Sequence, residues 1–183
     1  ERMNMVEISN SIASMPADAD PIELQNLTKQ ANDEAIHFRL VKEVIEHITG
    51  EECDVAGAIA KEEAKPTAKG ASLLAKYDAD SDPAALAAYQ LVAEGRAEAV
   101  WNTMADVIED EFISTRYAKI AKDEGFHSTI GAMKLETLVG DAETRSRVEA
   151  LVSEMRKDLY EISCKNTAHN VEGQKLVSEA YGW

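Results

Sequence analysis

The sequence predicts an all-α protein: a four-helix bundle of two antiparallel hairpins joined by a long crossover, followed by a C-terminal helix. The 183 residues include only 9 Gly and 4 Pro and are rich in helix-forming types. Apolar side chains recur at spacings of three and four residues along several segments, as expected for helices that bury one face. Asp-Pro occurs twice, at residues 20–21 and 82–83, where Asp can cap a helix whose first turn begins with Pro.

These signals divide a chain that we expect to form one domain over residues 1–183. The predicted segments are a first hairpin at 1–50, a crossover at 51–82, a second hairpin at 83–140, and a C-terminal helix and tail at 141–183. Gly50 should end the second helix, and a break is expected near residues 109–111 although neither Gly nor Pro marks it. The fourth helix should end at Gly140, and the fifth should run from Asp141 to about Cys164. Short loops make hairpin partners antiparallel, whereas a long crossover lets both hairpins start at the same end.

Two of the predicted helices should bury faces that combine apolar, acidic and His side chains. The face of the second helix comprises Leu27, Ala31, Glu34, His37, Phe38, Val41, Ile45 and Ile48. The face of the fourth helix comprises Ile113, Tyr117, Ile120, Glu124 and His127. Because a buried charge is costly unless it is paired or binds a metal, these faces indicate a functional interior.

Charge and composition argue against several classes of function. The formal net charge is −15, from 34 acidic and 19 basic residues, so nucleic acid, which requires a basic surface, is not an expected partner. Cys53 and Cys164 are too few for a tetrathiolate centre. No run of 18 apolar residues occurs, so no membrane partner is expected. The expected localisation is cytoplasmic.

The main functional signal is a motif that occurs once in each hairpin. The first copy is Asp33-Glu34-Ala35-Ile36-His37, and the second is Asp123-Glu124-Gly125-Phe126-His127. Residues three apart share one face of a helix, so the Glu and His of each copy can bind the same metal ion. One Glu-x-x-His is a weak signal in an acidic helical chain, but two copies at apolar faces are a much stronger one.

Each motif needs a further carboxylate from the helix that precedes it. Glu94 lies among apolar residues on the helix before Glu124. For the first hairpin the candidates are Glu1 and Glu7. We prefer Glu1, which continues the apolar stripe that includes Met5, whereas Glu7 shares its face with Asn and Ser residues.

The predicted metal ligands are Glu1, Glu34, His37, Glu94, Glu124 and His127. Carboxylate oxygens with imidazole nitrogens suit iron or manganese, and bridging carboxylates can hold two ions about 3.5–4 Å apart. Candidates for positions behind these ligands are Asp33, Asp123, Glu98 and Tyr117. For Glu98 the alternative is a solvated or inter-helix ion pair, and core packing is the favoured interpretation of Tyr117. The aspartates are candidates to accept a proton from a ligand imidazole, on their own helix or on the other one.

The order Glu, Glu-x-x-His, Glu, Glu-x-x-His over residues 1–140 resembles the ferritin-like di-iron carboxylate superfamily. Iron-storage ferritins usually lack the second Glu-x-x-His, so the pattern is more similar to rubrerythrins and small stand-alone di-iron oxygenases. The resemblance implies two iron ions, with Mn/Fe and Mn/Mn as alternatives, and dioxygen or peroxide chemistry.

The function expected from this resemblance is a non-haem di-iron oxidoreductase that activates dioxygen to oxidise a small organic substrate. The alternative is rubrerythrin- or ferritin-like iron oxidation or peroxide scavenging, without an organic substrate. The implied partners are dioxygen, a small-molecule substrate and an external electron donor. A homodimer is also compatible with the resemblance.

Overall fold

The computed structural model describes residues 1–63, 76–77 and 82–166. These residues form helices and no strand, so the all-α prediction is confirmed. The helices are α1 (Arg2–Ala13), α2 (Pro21–Thr49), α3 (Val55–Glu63), α4 (Pro83–Val107), α5 (Glu111–Leu138) and α6 (Ala142–Asn166). None of the helices in the described ranges is long and apolar enough to span a membrane. The predicted tail after residue 166 and much of the predicted crossover lie outside the described residues.

The predicted ends of the second helix are confirmed. An oxygen of Asp20 accepts a hydrogen bond from the backbone N–H of Ile22 at 3.0 Å, directly before Pro21. This bond satisfies one of the donors that the first turn of a helix leaves free. At the other end Gly50 adopts a left-handed conformation with φ +69°, which glycine tolerates because it has no Cβ.

The second Asp-Pro signal and the predicted break are confirmed as well. Asp82 Oδ1 accepts from the N–H of Ala84 at 2.9 Å and starts α4. Between α4 and α5, Asp110 Oδ1 accepts from the N–H of Ile113 at 3.1 Å. The break therefore needs neither Gly nor Pro, because an aspartate caps the new helix. α5 ends at Leu138, just before the predicted stop at Gly140.

The chain divides into two compact units, which contain Glu1–Ala68 with Gly95–His127 (unit 1) and Lys69–Glu94 with Ser128–Trp183 (unit 2). In unit 1, α1 runs antiparallel to α2, since Glu1 lies near His37 while Asn4 lies near Glu34. α2 also runs antiparallel to α5, as shown by the pairs His37–Asp123, Glu43–Arg116 and His47–Asp110. The apolar cluster of unit 1 is built from Leu40, Val44, Ile113, Tyr117 and Ile120.

The buried face of α2 is rotated from the predicted one. Ile45 and Ile48 are 40% and 65% exposed, contrary to the prediction. The buried residues of α2 are Gln30, Asp33, Glu34, His37, Leu40 and Val44. The rotation brings in Asp33 because its carboxylate binds His127 on α5. The predicted buried face of α5 is correct for all five of its residues.

Small residues set the packing of unit 2. Its core contains Ala84, Ala85, Ala87, Ala88, Val92, Leu135, Val148 and Met155. At Gly131 a Cβ would lie 2.6 Å from the backbone nitrogen of Leu91 and 2.8 Å from the carbonyl oxygen of Ala87. Backbone cannot move aside as a flexible side chain can, so α5 and α4 approach closely here only because residue 131 is glycine.

The left-handed end of α2 makes a testable prediction. We expect Gly50→Ala to destabilise the protein by about 1 kcal/mol, because a Cβ is disfavoured at positive φ. No heavy atom lies within 4 Å of the added Cβ, so backbone conformation alone is tested. Gly140→Ala is the matched control, because this position is also open but has no positive φ. Equal denaturation midpoints for the two variants would contradict the prediction.

Candidate metal centre

The two repeated motifs meet in the core of unit 1. Glu34, His37 and His127 have no exposed surface, and Glu124 is 2% exposed. The imidazole centroids of His37 and His127 lie 5.8 Å apart. Antiparallel packing of α2 against α5 therefore places the Glu and His of both copies in one buried cluster.

Each histidine is held by the aspartate of the opposite motif. His37 Nε2 lies 3.1 Å from Asp123 Oδ2, and His127 Nε2 lies 3.3 Å from Asp33 Oδ2. An ionised carboxylate can only accept, so in each pair Nε2 carries the hydrogen. The open alternative from the sequence is thus resolved: each aspartate reaches the histidine of the other helix.

The other ring nitrogen of each histidine faces the glutamates. Glu124 lies between the two rings, with Oε2 3.0 Å from His127 Nδ1 and Oε1 3.4 Å from His37 Nδ1. Glu34 Oε1 lies 3.5 Å from His127 Nδ1. With Nε2 protonated, Nδ1 is the nitrogen whose lone pair can bind a metal.

The first helix adds Glu1 to this cluster. Glu1 Oε2 lies 3.8 Å from His37 Nδ1, and the side chain of Glu1 is 20% exposed. Asn4, one turn further along α1, donates from Nδ2 to Glu34 Oε2 at 3.4 Å. Glu7 is exposed. The structure therefore brings the preferred candidate of the first hairpin, and not its competitor, to the motifs.

These side chains form two ligand groups within unit 1. Ligand-type atoms within 4.8 Å of one another come from Glu1, Glu34, His37 and Glu124, and again from Glu34, Glu124 and His127. The groups share two carboxylates, and each contains its own histidine. Among the described residues, Glu34 Oε1 and His37 Nδ1 are buried atoms without a hydrogen-bond partner. A bound cation would satisfy both, so the donor set fits a metal ion.

Two lysines were missed by the sequence analysis. Lys29 binds Asp33, and Lys119 binds Asp123, each one turn earlier on the same helix. The sequence carried a signal for them, because the repeat extends to Lys-x-Ala-x-Asp-Glu-x-x-His in both copies. Asn4 was also missed, and it has no counterpart in a motif that could have revealed it.

Three other predicted residues have different surroundings. Tyr117 is buried in the apolar cluster of unit 1, with its ring centroid 4.9 Å from that of Trp101. Glu98 is half-buried, and its Oε1 would lie 2.8 Å from a Cβ built on Gly125. Glycine within the second motif thus makes room for Glu98. Glu94 is a half-buried residue of α4 at the end of unit 2, and its role as a ligand stays a prediction.

Two side chains of the candidate centre, Glu34 and His37, have raised pKa values and so retain protons where a metal ion would bind. Burial, together with the nearby carboxylates of Glu1 and Glu124, raises the pKa of Glu34 from 4.5 to about 8. Burial acts to lower the pKa of His37, but attraction to Glu1, Glu124 and Asp123 outweighs it and raises that pKa from 6.5 to about 10. Burial acts to raise the pKa of Asp123, yet Lys119 and His37 hold it below its ordinary value. The aspartate behind His37 therefore stays ionised while the cluster in front of it retains protons.

Comparison with protein families, curated proteins and solved structures finds no match for this chain.

The pKa shifts predict how pH acts on the metal-free protein. The folded-state pKa values of Glu34 and His37 both exceed their unfolded values. Their stabilising contributions are lost as pH rises from 4.5 to about 8 for Glu34 and from 6.5 to about 10 for His37. We expect the melting temperature of the metal-free protein to fall between about pH 6 and pH 9.

Glu34→Gln is the matched variant for this measurement, because a neutral amide cannot titrate. Its melting temperature should fall less over the same pH range. Divalent metal replaces the protons, so metal affinity of the unaltered protein should rise with pH. A Glu34→Gln profile parallel to that of the unaltered protein would show that Glu34 does not carry the effect.

The two candidate ligands of the first hairpin, Glu1 before α1 and Glu7 on it, can be separated by substitution. Glu1→Gln should weaken ferrous or manganous binding by at least about tenfold, because it removes a carboxylate facing His37. Glu7→Gln removes the same charge from an exposed position of the same helix and should change affinity less than about twofold. Calorimetric titration of both variants measures this, and equal losses would contradict the assignment to Glu1.

Proposed function

We propose that this chain is a non-haem di-iron oxidoreductase of the ferritin-like four-helix type, which activates dioxygen to oxidise a small organic substrate. The observation that carries the proposal is the sharing of Glu34 and Glu124 by two ligand groups, each with its own histidine. One such group would suit a single ion, whereas two groups with shared carboxylates suit a pair of ions.

The chemistry of the donors supports iron. Hard carboxylate oxygens combined with imidazole nitrogens suit iron or manganese better than soft metals. The predicted ligand carboxylates are those of Glu1, Glu34, Glu94 and Glu124. Two divalent cations would neutralise these four charges, while each aspartate behind a histidine already has a lysine partner. Charge balance thus favours two divalent ions over one.

Residues of the chain prepare the centre for this chemistry. When bound, the iron pair supplies the electrons that reduce dioxygen. Asp33 and Asp123 fix the hydrogen of each imidazole on Nε2, so the Nδ1 lone pairs are directed toward the glutamates. Glu124 lies within reach of both histidines, so its carboxylate would be available to the ligand groups of both ions. The burial of these residues keeps water away and strengthens their electrostatic interactions.

The proposal is tested by loading the protein with ferrous iron and following oxygen. We expect about two iron ions per chain and oxygen consumption that depends on an organic substrate. Binding of no metal would overturn the proposal. Oxygen use that yields only ferric iron or water, whatever substrate is offered, would instead favour iron oxidation or peroxide scavenging.

Variants of the two predicted ligand histidines test whether these residues are needed for the reaction. His37→Ala and His127→Ala each remove a ligand nitrogen but leave the carboxylates, so some metal should still bind. Oxygen consumption per bound iron should fall at least about tenfold. His47→Ala is the control, because His47 lies on α2 but stacks on Phe112 at an exposed site. Full activity of either ligand variant at full metal loading would remove the paired motifs from the mechanism.

A further inference from the structure

Lys29 and Lys119 occupy equivalent positions in the two copies of the motif, and each binds the aspartate that supports a histidine. We propose that these lysines are positioning residues of the metal centre that tune it through the aspartates. The two arrays are Lys29–Asp33–His127 and Lys119–Asp123–His37. The inference rests on the proposed function, because it assigns the lysines a role in the electronic state of the bound metals.

The geometry joins the three groups of each array at a single atom. Asp33 Oδ2 is the oxygen that binds Lys29 Nζ and also the oxygen that accepts from His127 Nε2. Asp123 Oδ2 serves Lys119 and His37 in the same way. Because one oxygen serves both donors, the charge of the ammonium acts directly on the bond to the histidine.

The aspartate and histidine of each array are buried, whereas the lysine is half exposed. Asp33 and Asp123 are 5% and 7% exposed, and both histidines are fully buried. The side chains of Lys29 and Lys119 are 46% and 47% exposed. Each lysine thus keeps its ammonium at the solvent boundary and still neutralises a buried carboxylate, which would otherwise be costly.

Each lysine should change how strongly the histidine of its array donates electron density to a bound metal. A carboxylate that accepts from Nε2–H makes the imidazole a stronger electron donor to its metal. An ammonium on the same carboxylate oxygen withdraws density and limits that effect. Without the lysine, the imidazole should donate more strongly and stabilise the oxidised metal. The reduction potential of the centre should therefore fall.

Two other ion pairs on α2 do not involve residues of the candidate metal centre and serve as a comparison. Lys42 binds Glu46, and Arg39 binds Glu43, each one turn apart on α2. These glutamates are not bonded to a buried histidine of the centre, and ion pairs that solvent can reach contribute little to stability. Lys29 and Lys119 differ because their carboxylates also hold a predicted ligand.

The test measures the reduction potential of the iron-loaded protein with Lys29→Met and Lys119→Met. Methionine keeps an unbranched side chain of similar length but lacks the charge. At a fixed solution potential the ratio of oxidised to reduced centre should rise about tenfold in each variant, or about 59 mV for a one-electron step. Lys→Arg at either position should restore the original value, because guanidinium keeps both the charge and the hydrogen bond.

Two further lysines serve as matched controls. Lys42→Met removes the same charge from α2, and Lys122→Met removes it from an exposed position beside Asp123 on α5. Both should shift the ratio by less than about threefold, because Lys42 binds Glu46, which is not bonded to a histidine of the centre, and the charge of Lys122 is exposed to solvent. Lys29→Gln, which keeps a donor without the charge, replaces the Met variant if that variant fails to fold.

The outcomes distinguish this inference from the proposed function. If the unaltered protein binds two iron ions but the Lys29 and Lys119 variants shift no more than the controls, the inference alone is wrong. If the unaltered protein binds no metal, both are wrong. A larger shift in the Lys29 and Lys119 variants than in the controls, at the iron stoichiometry of the unaltered protein, supports the inference.

Discussion

Four carboxylates are buried in the core of unit 1, and the arrangement of that unit depends on how their charges are compensated. They belong to Asp33, Glu34, Asp123 and Glu124. Removing a charge from water costs several kcal/mol even after the protein relaxes. The two aspartates are compensated by a lysine from their own helix and a histidine from the other. Each of the two glutamates faces the histidine of the other motif, and the raised pKa values of Glu34 and His37 let these two residues retain protons in the metal-free protein.

This compensation also determines which face of α2 points inward. A purely apolar criterion places Ile45 and Ile48 in the core, yet both are exposed. The bond from Asp33 to His127 requires the helix to turn its polar side toward α5. Apolar packing is placed beside the polar cluster, where Leu40 and Val44 contact Ile120 and its neighbours. The polar pairs thus specify which face of α2 points inward, and the apolar cluster buries the hydrophobic surface that stabilises the packing.

The two copies of the motif are equivalent in their bonds but not in their surroundings. Both have the Lys–Asp–His array, with the aspartate always reaching across to the other helix. The second copy has Gly125 where the first has Ala35, and Glu98 lies against that glycine. The first copy has Asn4 bonded to Glu34. The two copies of the motif therefore differ in the residues that surround their glutamates.

The sequence by itself determined the helices, their capped ends and the residues able to bind metal. These features depend on local chemistry: Asp20 and Asp82 cap helices within two residues, and Glu and His three apart must share a helix face. The break before α5 was also predictable, because Asp110 can cap a new helix locally. The extended repeat that contains Lys29 and Lys119 was present in the sequence as well.

Only the tertiary structure decided which residues of one copy of the motif bind which residues of the other copy. Whether Asp33 serves His37 or His127 depends on the register of α2 against α5, which no local pattern contains. The same register brings Glu124 between both histidines and leaves Tyr117 in the apolar cluster. The register of the two antiparallel helices thus determines which of two chemically similar histidines each aspartate binds. Burial then makes that choice energetically decisive, since an unpaired carboxylate in the core is costly.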